Sequence, residues 1–158
     1  MNNSHQLADR LKEVILNGTW IANTNFKDQL EHLDFNTAVT KVQSLNSISM
    51  LAQHVHYYIN GINQFFKGGK LSIKDKYSFE FPAIESQAAW QNFLTNFWID
   101  TESLINIIAQ LHENKLDKVF VDQKYGSYKR NIEGLIEHSY YHLGQITIIK
   151  KMLSERDN

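Results

Sequence analysis

The sequence predicts an all-α protein, arranged as a four-helix bundle. Four long segments repeat apolar residues every three or four positions, which is the spacing of one face of a helix. One proline and seven glycines among 158 residues leave room for long uninterrupted helices. Because each amphipathic helix has to bury its apolar face, a bundle with longer connections is the simplest arrangement. At this length we expect a single domain over residues 1–158.

The first two long helices have recognisable start and stop residues. The first begins at Ser4, whose side chain can cap a helix, and ends at Gly18. Apolar residues are scattered through residues 19–43, where we expect a loop and one or two short helices. The second long helix begins near residues 46–47 and ends at about Phe66, where a pair of glycines follows.

The other two long helices occupy the second half of the chain. Residues 70–86 form an irregular segment, in which the alternation of Tyr77–Phe81 is typical of one extended edge without a partner strand. The third helix fits from about Ser86 to about His112, and a linker with aromatic residues follows over residues 115–129. The fourth helix begins near Asn131 and continues into the 150s.

Composition and charge exclude several classes of function. A net charge of −1, with lysines and acids interspersed, lacks the basic stripe of a nucleic-acid-binding domain. The absence of cysteine excludes disulfides and thiolate metal sites, and it fits a reducing compartment. No apolar run approaches the roughly 20 residues of a membrane span, and the polar start of the chain is unlike a signal peptide. We therefore expect a cytoplasmic protein that binds neither nucleic acid nor membranes.

Two histidines on the fourth helix predict a metal site. His138 and His142 are four residues apart, so both imidazoles lie on one helix face and can reach one ion. Both fall at the rim of the apolar stripe, where a ligand is partly dry but keeps an open side. Ser139 follows the first histidine in place of the glutamate of H-E-x-x-H, which excludes a zincin protease. Such a pair also arises by chance, with each ring only hydrogen-bonded to its neighbours.

A third histidine strengthens the metal hypothesis. His54 lies at the rim of the apolar stripe of the second helix, whereas His56 is turned further toward solvent. If the two rims face each other, His54, His138 and His142 form a facial set of three imidazoles. Three protein nitrogens leave coordination positions open, as in catalytic rather than structural metal sites. The other histidines stand among polar residues and are expected at the surface: His5, His32 and His112.

The two histidine segments resemble the DinB/YfiT-like superfamily of metal-dependent proteins. The segments are S-M-L-A-Q-H-V at residues 49–55 and I-E-H-S-Y-Y-H-L-G-Q at residues 136–145, and H-x-x-x-H-x-G-Q is the more specific motif. The resemblance implies an up-down-down-up four-helix bundle with a long crossover. It implies one nickel, zinc or similar divalent ion bound by His54, His138 and His142. It further implies a homodimer and activation of a water molecule or a small thiol.

Two residues beside the motif have both functional and structural interpretations. Gly144 has no side chain, so a ligand or a neighbouring helix can approach closely there. Gln145 lies on the histidine face, where it could hydrogen-bond a water molecule or orient a substrate, although a surface glutamine needs no such role. The tyrosines beside the histidines, Tyr57, Tyr58, Tyr140 and Tyr141, are expected in part to fill the core.

Functions of different classes remain open. The first is a metal-dependent hydrolase or thiol S-transferase, although no acidic residue is clearly placed as its general base. The second is a non-catalytic dimeric bundle, a stress or partner-binding protein with a structural or vestigial metal. The third binds an apolar ligand between aromatic helices. The candidate bases for the enzyme, Asp100, Glu102 and Glu137, are typical of helix surfaces. The cavity for an apolar ligand would be lined by Trp90, Phe97 and Trp98.

Overall fold

Four long helices and three short ones make up the secondary structure of residues 2–156, the part of the chain that the computed structural model describes. The α-helices are α1 Asn3–Lys12, α2 Phe26–Leu30, α3 Phe35–Val39, α4 Ile48–Phe66, α5 Gln87–Ala109, α6 Glu113–Leu116 and α7 Tyr128–Arg156. Helix α1 continues as a π-helical turn over Glu13–Asn17. No strand forms within residues 2–156, and the all-α prediction is confirmed.

The helix starts follow from capping side chains. Ser47 accepts a hydrogen bond from the Met50 amide and begins α4, and Ser86 does the same with the Ala89 amide at the start of α5. The prediction that Ser4 caps the first helix is wrong. Asn2 is the capping residue, and the Ser4 hydroxyl is buried and donates to the Leu111 carbonyl.

The long helices enclose one apolar core. Helices α1 and α4 each contact both α5 and α7. Full burial of a leucine or isoleucine side chain contributes about 1.5–3 kcal/mol, so these contacts hold the helices together. Fully buried aliphatic residues of this core include Leu11, Ile48, Ile59, Leu104, Ile108 and Ile146.

The segment between α4 and α5 contains no extended edge. A 3-10 turn spans Asp75–Tyr77, and the amides of Ser78 and Glu80 donate to carbonyls only three residues earlier. The predicted extension of Tyr77–Phe81 is therefore wrong, because local turn hydrogen bonds take the backbone groups that a strand would offer to a partner. In the linker before α7, Val119 and Ser127 form an isolated antiparallel bridge.

The aromatic residues of α5 fill the core. Trp90 and Phe97 are fully buried, and the Trp90 indole donates to the Leu33 carbonyl at 2.9 Å. Trp98 stacks on Phe97 with ring centroids 4.9 Å apart. These rings pack as core residues, so the predicted ligand cavity between them is not supported. Within residues 2–156 no helix is long and apolar enough to span a membrane, and the cytoplasmic location stays a prediction.

Candidate metal centre

The contact between α4 and α7 brings the three predicted histidines together. His54 lies in the second turn of α4, and His138 and His142 lie one turn apart in the middle of α7. The His138 Nε2 atom is 3.1 Å from the His54 Nε2 atom and 2.9 Å from the His142 Nε2 atom. One ring nitrogen from each histidine lies within 4.8 Å of the other two, so the group could hold a metal ion.

The three rings are held by close packing at the rim of the core. His54 and His142 are buried, with 6% and 7% of their surface exposed, while His138 is half-buried. The Phe79 ring stacks on His54 with centroids 4.1 Å apart and planes 8° from parallel. The Tyr58 ring stands edge-on to both His54 and His138. This packing leaves one side of the group, at His138, open to a groove.

Hydrogen bonds at the Nδ1 atoms fix the orientation of the His54 and His142 rings. The His54 Nδ1 atom is 2.9 Å from the Ser78 carbonyl oxygen, which can only accept, so this nitrogen carries the proton. The His142 Nδ1 atom donates in the same way to the Gln145 side-chain oxygen at 2.7 Å. A neutral imidazole has one N–H, so the Nε2 atoms of both rings carry lone pairs. Partners of this kind commonly orient histidine ligands toward a metal.

His138 shows why the three rings together fit a cation. Its Nε2 atom faces the lone pairs of two other nitrogens, and a neutral imidazole can donate to only one of them. A cation placed among the three nitrogens would satisfy all of them at once. At a metal–nitrogen distance of about 2.05 Å, two ligand nitrogens lie about 2.9 Å apart at a right angle and about 3.3 Å apart in a tetrahedron. The observed separations of 2.9 and 3.1 Å lie in this range.

The environment keeps all three imidazoles neutral. Burial lowers the pKa of His54 and His142 below the ordinary 6.5. Burial, together with the neighbouring His142 and His54, lowers the pKa of His138 to about 4. Because a metal binds the neutral form of the ring, these shifts remove proton competition near neutral pH.

A groove of about 620 Å³ opens beside His138 and contains an acidic residue that the sequence analysis missed. Asp75 lines this groove and accepts a hydrogen bond from the Tyr58 hydroxyl at 2.8 Å. Burial and this hydrogen bond raise the pKa of Tyr58 to about 12, so the phenol stays protonated and acts as the donor. No periodic pattern marks Asp75, because it lies in an irregular loop.

Further contacts fasten the loop that carries Asp75 and Ser78 to α4. The Tyr57 hydroxyl accepts from the Lys74 amide at 2.9 Å, and the Gln53 side-chain amide donates to the Pro82 carbonyl at 3.1 Å. Ile73 packs directly over Gly61 of the same helix. Helix α4 therefore carries His54 and also holds the loop that orients its ring.

Other predicted residues lie away from the three-histidine group. The prediction that His56 faces solvent is wrong, because its Nε2 atom lies 2.7 Å from an Asp100 carboxylate oxygen on α5. Glu102 is exposed, and Glu137 is exposed and pairs with Arg130. None of the three acidic candidates for the general base lines the groove.

The remaining histidines and Gly144 lie at the surface. His5, His32 and His112 are exposed as predicted, and the last of them also caps α6. Gly144 is exposed, and a methyl group built on it would meet no other atom within 4 Å. The predicted close approach at Gly144 is therefore not seen.

No family model, curated protein or solved structure matches this chain. The DinB/YfiT-like resemblance thus stays a prediction from the two histidine segments.

Proposed function

We propose that this protein is a metal-dependent enzyme of the DinB-like type. His54, His138 and His142 would hold one divalent ion, nickel or zinc. The ion would activate a water molecule for hydrolysis, or a small thiol for its transfer. The observation that carries the proposal is the convergence of three Nε2 atoms, two of which have lone pairs fixed by partners at Nδ1. Imidazole is a common ligand of both metals.

The open side of the group supports a catalytic rather than a structural role. Three protein nitrogens leave at least one coordination position open, and the groove reaches the group at His138. A divalent ion bound here would act as a Lewis acid and lower the pKa of a water molecule or thiol. Because the three imidazoles are neutral, they leave the charge of the ion uncompensated, and the site favours negatively charged molecules.

Asp75 is the side chain that we assign to proton transfer. It is the carboxylate among the groove-lining residues, and the Tyr58 hydroxyl occupies only one of its two oxygens. The other oxygen is available to take a proton from a thiol or water molecule in the groove. Tyr58, which contacts two of the histidine rings edge-on, holds this carboxylate beside the group.

Metal content measured on protein purified without an affinity tag tests the proposal. We expect about one equivalent of nickel or zinc in the wild type, none in His138→Ala and an unchanged amount in His32→Ala. His32 is a matched control, since its side chain is 92% exposed. Equal metal content in the wild type and His138→Ala would reject the site. An ion that does not exchange with solvent ligands would favour the non-catalytic alternative, a bundle with a structural metal.

We also propose that α1, α4, α5 and α7 form an up-down-down-up four-helix bundle and that two copies pair as a homodimer. The contacts of α1 and α4 with both other helices support the first part. Exposed apolar residues on one face of α7, Tyr141, Ile148 and Met152, support the second. Sedimentation of wild type and Ile148→Lys tests the pairing; a wild-type monomer would contradict it.

A further inference from the structure

The groove beside His138 has the size and lining of a small-molecule site. Its volume of about 620 Å³ lies within the roughly 300–1,000 Å³ that is usual for ligand pockets. The floor is formed by α4 and α7, and the walls by the loops before α5 and before α7. Apolar side chains predominate in the lining, among them Ile62, Leu71, Ile73, Phe120 and Leu135.

The length of the groove follows from its residues on α7. His138 lies at one end and Arg130 at the other, which at 1.5 Å per residue corresponds to about 12 Å along the helix. Gly134 lies between them, and a methyl group built on it would meet no other atom within 4 Å. The missing side chain leaves the middle of the groove open. A lone water molecule or a thiol of two or three atoms would fill only part of this space.

The charged residues of the groove favour an anion. Lys74 and Arg130 line it together with one carboxylate, Asp75, so two positive charges stand against one negative charge. Arg130 also pairs with Glu137, whereas no ion pair of residues 2–156 includes Lys74. Lys74 therefore offers a positive charge outside any ion pair at the edge of an apolar surface.

We propose that the groove binds a small amphipathic anion, whose apolar body is up to about 12 Å long and lies along α7 between Arg130 and His138. Its negative group lies at Lys74, and one end lies beside the three-histidine group. The inference deepens the proposed function, because this molecule would be the substrate class. Binding to the groove can nevertheless be measured without any metal.

Fluorescence titration of chelator-treated protein with 8-anilinonaphthalene-1-sulfonate, an apolar anion, tests the groove. We expect saturable binding to the wild type and at least about tenfold weaker binding to Gly134→Phe, which fills the groove. Gly144→Phe is the matched control, a substitution into open space on the same helix outside the groove. No saturable binding to the wild type, or equal binding to wild type and Gly134→Phe, would overturn the proposal.

Charge reversal tests the anionic group and needs no change in the core. Lys74→Glu should weaken binding of the sulfonate about fivefold or more and leave the uncharged N-phenyl-1-naphthylamine little changed. Lys76→Glu changes the same charge on the same loop outside the groove, and it should change neither affinity. Equal effects of the two reversals would overturn the assignment to Lys74. Because the protein is metal-free, these results are separable from the metal content that tests the proposed function.

Discussion

A methyl group added at Gly61 should displace the loop that orients His54. A Cβ atom at this buried position on α4 would lie 2.1 Å from Cγ2 of Ile73 and 3.2 Å from its Cδ1. Ordinary contacts begin at 3.4 Å, so Ile73 would have to move by about 1 Å or more. As a branched side chain close to the backbone, Ile73 cannot move this far without the loop.

The expected loss of stability follows from two opposing effects. Alanine is favoured over glycine in a helix by about 1 kcal/mol, whereas overpacking costs about 1–3 kcal/mol. Gly134→Ala is the matched control, because it gains the helix preference and meets no atom within 4 Å. In urea unfolding we expect Gly61→Ala to be less stable than Gly134→Ala by about 1–3 kcal/mol.

The same substitution should weaken metal binding. Ser78 lies five residues after Ile73 on the same loop, and its carbonyl accepts from His54 Nδ1. Loss of such a partner typically lowers metal affinity by about 10- to 100-fold. Competition titration with a zinc-binding dye would measure the change against Gly134→Ala. If Gly61→Ala matches its control in both stability and zinc affinity, Ile73 does not couple Gly61 to the loop that orients His54.

Three further predictions concern individual side chains. Because burial lowers the pKa of His138 to about 4 from 6.5, the unfolded chain binds the proton first as the pH falls. The stability of metal-free protein should be full above about pH 6.5 and fall by roughly 2 kcal/mol by pH 4, after allowance for solvent screening. Urea unfolding should show a shallower pH dependence for His138→Gln, and an identical one would contradict this. Gln145→Ala should lower the affinity for zinc about tenfold, whereas Gln145→Glu should retain it, since only glutamate can accept from His142 Nδ1. Equal zinc affinities of the two variants in a dye competition would count against this role. Asp100→Asn should lower the free energy of unfolding by about 1 kcal/mol, because it weakens the hydrogen bond to His56. Its metal content should stay unchanged, and a loss of metal in this variant would contradict the separation of the His56–Asp100 pair from the three-histidine group.

The long helices and the three histidines of the candidate centre were predictable because they follow a regular period. The spacing of His138 and His142 places both on one face of α7, whatever that face contacts. The position of His54 at the rim of the core follows from the apolar stripe of α4. The capping residues Ser47 and Ser86 mark their helices by local hydrogen bonds alone.

The position of His56 was not predictable from one apolar stripe. Helix α4 contacts both α5 and α7, so it has two buried faces. One apolar stripe marks only one of these faces and predicts that the face toward α5 is exposed to solvent. His56 lies on that side and bonds Asp100, which is 44 residues away in the chain. A stripe predicts which face is most apolar, but it does not predict how many neighbours a helix has.

The loop residues of the site could not be predicted at all. Asp75 and Ser78 reach Tyr58 and His54 across 17 and 24 residues of chain. An irregular segment has no period, so nothing in the sequence indicates which of its groups turn inward. Helical periodicity therefore indicates only Asp100, Glu102 and Glu137 as candidate bases, and none of these lines the groove.

Anomalous scattering from a crystal grown with zinc, measured at the zinc absorption edge, would show the three-histidine centre itself. We expect one strong peak per chain, about 2.0–2.1 Å from the Nε2 atoms of His54, His138 and His142. The Nδ1 atoms of His54 and His142 should keep their contacts with Ser78 and Gln145. A peak at another position, or a His54 ring turned away from the other two, would contradict the three-histidine centre.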